Sequence, residues 1–138
     1  MKTFFCFTLI LIVLSGFLTF SSTCFAQSYD TIPANNSEIE YTGRIDFSNP
    51  LAPMFSYSGV SIRANFSGTS IAAIMNDDLG QNYYNIILDG EILDPIKIDI
   101  GKKKYVLAEG LDSTTHEIEL FKRTELTFGK TQFFGFVV

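Results

Sequence analysis

The sequence predicts an all-β domain, a sandwich or a barrel. Short runs alternate apolar and polar residues, turn signals recur roughly every ten residues, and no window sustains a helical period. The alternation begins near Glu38. In residues 60–67 (VSIRANFS) the apolar side chains fall at every second position, as on a strand with one face on a core and the other in water. Residues 69–76 (TSIAAIMN) form the next strand after Gly68. Residues 83–93 (YYNIILDGEIL) read as two strands around Asp89-Gly90, a pair that favours the positive φ values of a type I′ turn. Residues 96–100 alternate again after Pro95. Residues 103–108 and 115–123 give two more strands, and residues 131–138 (TQFFGFVV) the last. Lys102-Lys103-Lys104, beside Gly101, is expected at a solvated hairpin tip.

The ends of the chain carry different signals. Met1 and Lys2 precede an apolar run from Phe4 to Phe20, then Ser21-Ser22-Thr23 and Cys24-Phe25-Ala26. A basic start, an apolar middle and a small residue before the cut describe a secretory signal peptide over residues 1–26, cleaved after Ala26. Ser15, Gly16 and Thr19 interrupt the run, which is short for a membrane span, and no second run follows, so no transmembrane helix is expected. The alternative is a lipoprotein acylated at Cys24, although residues 21–23 fit the usual pattern before such a cysteine poorly. Residues 27–38 (QSYDTIPANNSE) read as a flexible, exposed leader, and residues 39–138 as one β-sandwich domain. Taking 26 residues from 138 leaves 112, and losing Lys2 moves the net charge from −5 to −6. An acidic domain excludes nucleic acid as a partner, because that needs clustered positive charge. Cys6 and Cys24 both lie in the signal, so the exported domain is expected to fold without disulfides or cysteine-bound metal. The chain stops at Phe136-Val137-Val138, inside an apolar run, where a frayed polar end is usual. The expectation is a polypeptide that once continued.

Catalytic chemistry finds little support. Gly-x-Ser-x-Gly is absent, and the nearest approach to a Gly-Asp-Ser block, Gly110-Leu111-Asp112-Ser113, carries an inserted Leu. Ser113 and His116 are three apart, which on a strand puts them on opposite faces. His116, the only histidine, shares a face with Ile118 and Leu120 and reads as a packed residue with one hydrogen-bond partner. Residues 76–82 (NDDLGQN) lack full calcium-loop spacing, with Ile87 where a closing Glu is needed, and read as a solvated connection. A structural calcium on backbone carbonyls stays open. No catalytic, cofactor-binding or metal-binding side chain is assigned. The sugar-facing or domain-interface positions are Tyr83, Tyr84 and Phe121. Tyr83 and Tyr84 must point to opposite faces, and Phe121 breaks the outward polar row of Glu117, Glu119 and Arg123. Arg123 and Glu125 are placed to pair if the strand continues.

Several stretches together resemble a known family. They are Tyr41-Thr42-Gly43-Arg44-Ile45-Asp46-Phe47, residues 53–62 (PMFSYSGVSI), residues 66–70 (FSGTS), Asn82-Tyr83-Tyr84-Asn85 with Asp89-Gly90, and residues 116–125 (HEIELFKRTE). In this order they resemble the N-terminal domain of carbohydrate esterase family 2, over about residues 39–138. The resemblance implies an antiparallel β-sandwich of jelly-roll type, followed by a C-terminal hydrolase domain of the Gly-Asp-Ser-Leu class. Such enzymes remove O-acetyl groups from plant polysaccharides such as xylan and glucomannan. The family's nucleophilic Ser and base His belong to that C-terminal domain, so neither transfers to a residue here. The implied role is an accessory domain that packs on the hydrolase and is inactive alone. A free-standing carbohydrate-binding module and a structural surface domain are the alternatives.

Overall fold

The structure is a computed structural model that describes residues 30–138. The signal peptide read over residues 1–26 and the lipoprotein alternative at Cys24 lie outside the described residues. Eleven strands follow in order: β1 (Thr31–Pro33), β2 (Glu40–Thr42), β3 (Met54–Phe55), β4 (Ser61–Ser67), β5 (Ser70–Asp77), β6 (Tyr83–Leu88), β7 (Glu91–Ile92), β8 (Ile96–Lys97), β9 (Gly101–Glu109), β10 (Thr115–Lys122) and β11 (Thr131–Val137). One 3₁₀ turn, Leu126–Phe128, precedes β11.

The strands build two antiparallel sheets. The first runs β1-β11-β5-β9, with β3 also on β11; the second runs β2-β4-β10-β6-β7, with β8 also on β6. The sheets pack face to face as an antiparallel β-sandwich of jelly-roll type, as the alternation and the resemblance both require. The alternate positions Ile62, Ala64 and Phe66 of β4, Ile118 and Leu120 of β10, and Tyr84 and Ile86 of β6 point inward. They meet Ile71, Ala73 and Met75 of β5 and Phe133 and Phe136 of β11. Fully burying each large side chain contributes about 1.5–3 kcal/mol, so this shared core is the main term holding the layers together.

The turn at Asp89-Gly90 forms as read. Both residues have positive φ, 51° and 84°, and Leu88 pairs with Glu91 across it. Three readings need correction. Residues 31–33 of the supposed leader are a strand: Thr31 faces Val137 and Pro33 faces Gly135. Ala34 is buried, and its carbonyl accepts the Tyr41 hydroxyl at 2.7 Å. The ladder partner lies a hundred residues away in sequence, so no local pattern could announce it. Lys102, Lys103 and Lys104 sit on β9, a sheet edge, rather than at a turn tip; Lys102 stacks over Phe134 at 3.7 Å. Residues 96–100 are not one strand. Ile96 and Lys97 pair with β6, the Ile98 amide bonds the Asn82 carbonyl (2.9 Å), and Ile100 bridges Asp77 in the other sheet.

Gly135 marks a register shift in β11 and has φ of 128°. A Cβ there would lie 2.3 Å from the Ile32 carbonyl oxygen, so only glycine lets β1 close onto β11.

Candidate functional site

Strand parity sorts the three aromatic positions. Tyr83, at the start of β6, points outward and is 41% exposed. Tyr84 points into the core, is 1% exposed and meets Phe55 edge-on at 6.4 Å. Tyr84 is therefore not a sugar-facing or interface residue, because a period of two sends neighbours to opposite faces. Burial pushes its phenol pKa up. Phe121 lies half-buried on the outward face, opposite Asn85 and Ser61 in the ladder. Tyr83 and Phe121 thus share one outward surface. On the same face, Glu119 accepts from Ser61 Oγ (2.5 Å) and Arg63 Nη2 (2.9 Å), and these bonds hold its carboxyl below the usual range.

Beneath Tyr83 is a polar cluster, two of whose members, Asp77 and Asn82, fall in the segment expected to be a solvated connection. Lys122 follows the inward series His116, Ile118, Leu120 and is 0% exposed. Its Nζ donates to Asn82 Oδ1 (2.6 Å), to the Thr124 carbonyl (2.6 Å) and to Thr124 Oγ1 (3.0 Å). Loss of hydration on burial lowers the amine's pKa to about 8. Asn82 is the bridge. It accepts from Lys122 and Thr124 (2.5 Å) and donates Nδ2 to Asp77 Oδ2 at 2.7 Å and to the Phe128 carbonyl at 3.1 Å. Asp77 also accepts from Thr131 Oγ1 (2.8 Å) and from the amides of Leu79 (3.1 Å) and Gly80 (2.6 Å). Asp77 and Thr131 belong to one sheet and Lys122 to the other, so the cluster ties the layers together at this end. It also corrects the solvated reading of residues 76–82 at two positions: Asp77 and Asn82 are buried, while Asp78, Leu79 and Gln81 between them are exposed. The Asp77 oxygens face four donors, an arrangement that repels a cation. Among the described residues no group of three or more His, Cys, Asp and Glu is placed to hold a metal ion.

Above the cluster, Tyr83, Arg123 and Thr124 line an open cleft of about 360 Å³. Arg123 donates its amide to the Tyr83 carbonyl (3.0 Å), and the Tyr83 amide reaches Thr124 Oγ1 (3.4 Å). On the other flank of β10, the Gly59 amide bonds the Lys122 carbonyl (2.9 Å), which brings Tyr57 to this end with Arg44 over its ring at 4.7 Å. Glu125 accepts from Ser58 Oγ (2.8 Å) instead of pairing with Arg123. The adjoining loops expose Leu79, Ile100, Leu126 and Phe128.

His116 lies toward the opposite end. Its Nδ1 meets Asp89 Oδ2 at 2.7 Å, and its Nε2 lies 3.3 Å from the Asp112 carbonyl oxygen. The first bond is the main cause that raises its pKa. The ring has two partners where the sequence reading gave it one. Both nitrogens face acceptor oxygens, so neither is aimed at a hydroxyl it could deprotonate, and Ser113 stands exposed on the loop before β10.

Residues 41–138 match the family described as "Carbohydrate esterase 2 N-terminal". The cellulase/esterase CelE of Acetivibrio thermocellus is 35% identical over 111 residues, which are 80% of this chain and 14% of that protein. An acetylxylan esterase / glucomannan deacetylase of Cellvibrio japonicus is 27% identical over 104 residues, 75% of this chain and 29% of that protein. A solved family two carbohydrate esterase from Cellvibrio japonicus superposes with a TM-score of 0.75 at 25% identity, covering 80% of this chain and 33% of that one. The chain thus spans a third or less of the length of these relatives.

Proposed function

This chain belongs to the carbohydrate esterase 2 N-terminal family, and on that premise we propose that it is the accessory β-sandwich of a secreted polysaccharide O-acetyl esterase. In this reading the chemistry resides in a C-terminal hydrolase domain, and the substrate is an acetylated plant polysaccharide of the xylan or glucomannan class. Residues 1–26 direct export. Among the described residues no helix is long and apolar enough to cross a membrane.

The observation that carries the reading is the clustering of exposed Leu79, Ile100, Leu126 and Phe128 on the loops at one end of the sandwich. Scattered surface apolar residues need no explanation, but a group of four on neighbouring loops suits a domain contact. Their loops are anchored by the Asp77–Asn82–Lys122 cluster, so the apolar group is presented on a fixed base. Tyr83 and Phe121 border it and supply the side turned toward the partner domain or the polysaccharide.

The test is a 4-nitrophenyl acetate assay on the purified chain, with the reading frame followed past codon 138. The expected result is hydrolysis at the buffer rate and a downstream hydrolase block. Turnover that disappears in Ser113→Ala or His116→Asn would show that the chemistry is here after all.

A further inference from the structure

We infer that the row Tyr57–Arg123–Tyr83 is a binding site for an extended glycan chain that carries a carboxylate. The inference rests on the accessory-domain reading and gives its substrate a chemical feature. β4 and β6 both pair with β10, so they run two strand spacings, or about 10 Å, apart. Tyr57 enters beside β4 and Tyr83 begins β6, which places two half-exposed aromatic rings on either side of the end of β10. Two exposed rings flanking one strand end suit two sugar rings of an extended chain, each laid on an aromatic face. Arg44 already covers one face of Tyr57 at 4.7 Å and steadies it.

Arg123 lies between the two tyrosines. Its side chain is exposed, and no carboxylate among the described residues lies within ion-pair reach of it. In a chain with 15 acidic and 10 basic residues, an unpaired guanidinium in a cleft is a place where an outside anion is favoured. Lys97, opposite Tyr83 in the ladder, and Arg44 add positive charge around the row. The nearest acid in the sequence, Glu125, is engaged by Ser58 at 2.8 Å. Thr124 completes the cleft, its backbone carbonyl and hydroxyl held by the buried Lys122 amine at 2.6 and 3.0 Å. The floor of the site is therefore fixed before any ligand arrives, which lowers the ordering cost of binding.

The experiment is calorimetry of the purified chain at low salt against two β-linked oligosaccharides of equal backbone length, one neutral and one bearing a uronate. The uronate-bearing chain should bind about tenfold more tightly, and added salt should shrink that preference. Arg123→Gln should bring the ratio down to about unity, while Tyr83→Ala weakens both ligands; unchanged melting curves would exclude unfolding as the cause. Equal affinity for both ligands in the unmodified chain refutes the site, and so does an absence of heat from either at millimolar concentration. Failure here leaves the accessory role standing, whereas turnover in the acetate assay removes that role and with it the premise of this inference, so the two failures are told apart.

Discussion

Asp77→Ala should be among the most damaging single changes outside the apolar core. The carboxylate is 1% exposed and accepts four hydrogen bonds, from the Leu79 and Gly80 amides, Asn82 Nδ2 and Thr131 Oγ1. Truncation leaves all four donors without their acceptor. An orphaned buried donor costs about 1–3 kcal/mol. The two amides lie near the surface and regain water in part, so about 1 kcal/mol each is the appropriate value, about 4 kcal/mol in all. For a domain near 100 residues that lowers Tm by about 15 °C or more. Thermal melting followed by circular dichroism measures it. Asp78→Ala is the control: its carboxylate is exposed and accepts one bond, from the Lys130 amide at 2.7 Å, so its loss should stay under about 1 kcal/mol. If Asp77→Ala melts within about 4 °C of the unmodified chain, the cluster does not join the sheets as described.

Three further outcomes are expected. The His116 pKa is raised, mainly by Asp89, so the stability it adds is fully present below its ordinary value of 6.5 and is lost as pH climbs through the folded pKa. Melting curves between pH 5 and about pH 8 should show that decline, and Asp89→Asn should flatten it. Lys122 acts in the other direction: the folded amine gives up its proton near 8 and the unfolded one near 10.5, so this term raises stability from about pH 8 upward. Denaturant midpoints between about pH 8 and pH 9.5, below the range where tyrosine titrates, should rise in the unmodified chain and stay level in Lys122→Met. Gly135→Ala drives a Cβ into the Ile32 carbonyl at 2.3 Å and forces an L residue to φ of 128°, for a loss of about 3 kcal/mol with β1 released; amide exchange at Ala34, whose N–H bonds the Phe134 carbonyl, checks it.

What the sequence made legible was the part governed by local repetition. Alternation located β4 and β10, apolar runs beside glycine turns located β5 and β6, and Asp89-Gly90 announced its hairpin because few other pairs accept two positive φ values. Parity also placed His116 inward and required Tyr83 and Tyr84 to diverge. The same parity applied one step further assigns Lys122 inward after Leu120, but a lysine is so rarely buried that its charge obscures its position. Asp77 and Asn82 were unreadable for a related reason: their partners, Thr131 and Lys122, lie 54 and 40 positions away. The strand at Thr31–Pro33 likewise takes its reason from β11. The cleft at Tyr83 was half legible, since the aromatic ring stood out while Arg123 looked like one more charge on an outward row.

The position of β11 bears on how the protein is made. This strand is the last of the eleven, yet it occupies the middle of its sheet, touching β1, β3 and β5. Until residues 131–137 have been synthesised, β1 and β3 have no ladder and one side of β5 is open. The other sheet needs nothing beyond β10. Assembly should therefore be staged: a nascent chain can close the β4–β10–β6 layer early, but it carries an open, apolar β5 edge until the final strand arrives and inserts. Such long-range closure is slow, and the waiting intermediate is the form in which the chain is most exposed to aggregation or proteolysis.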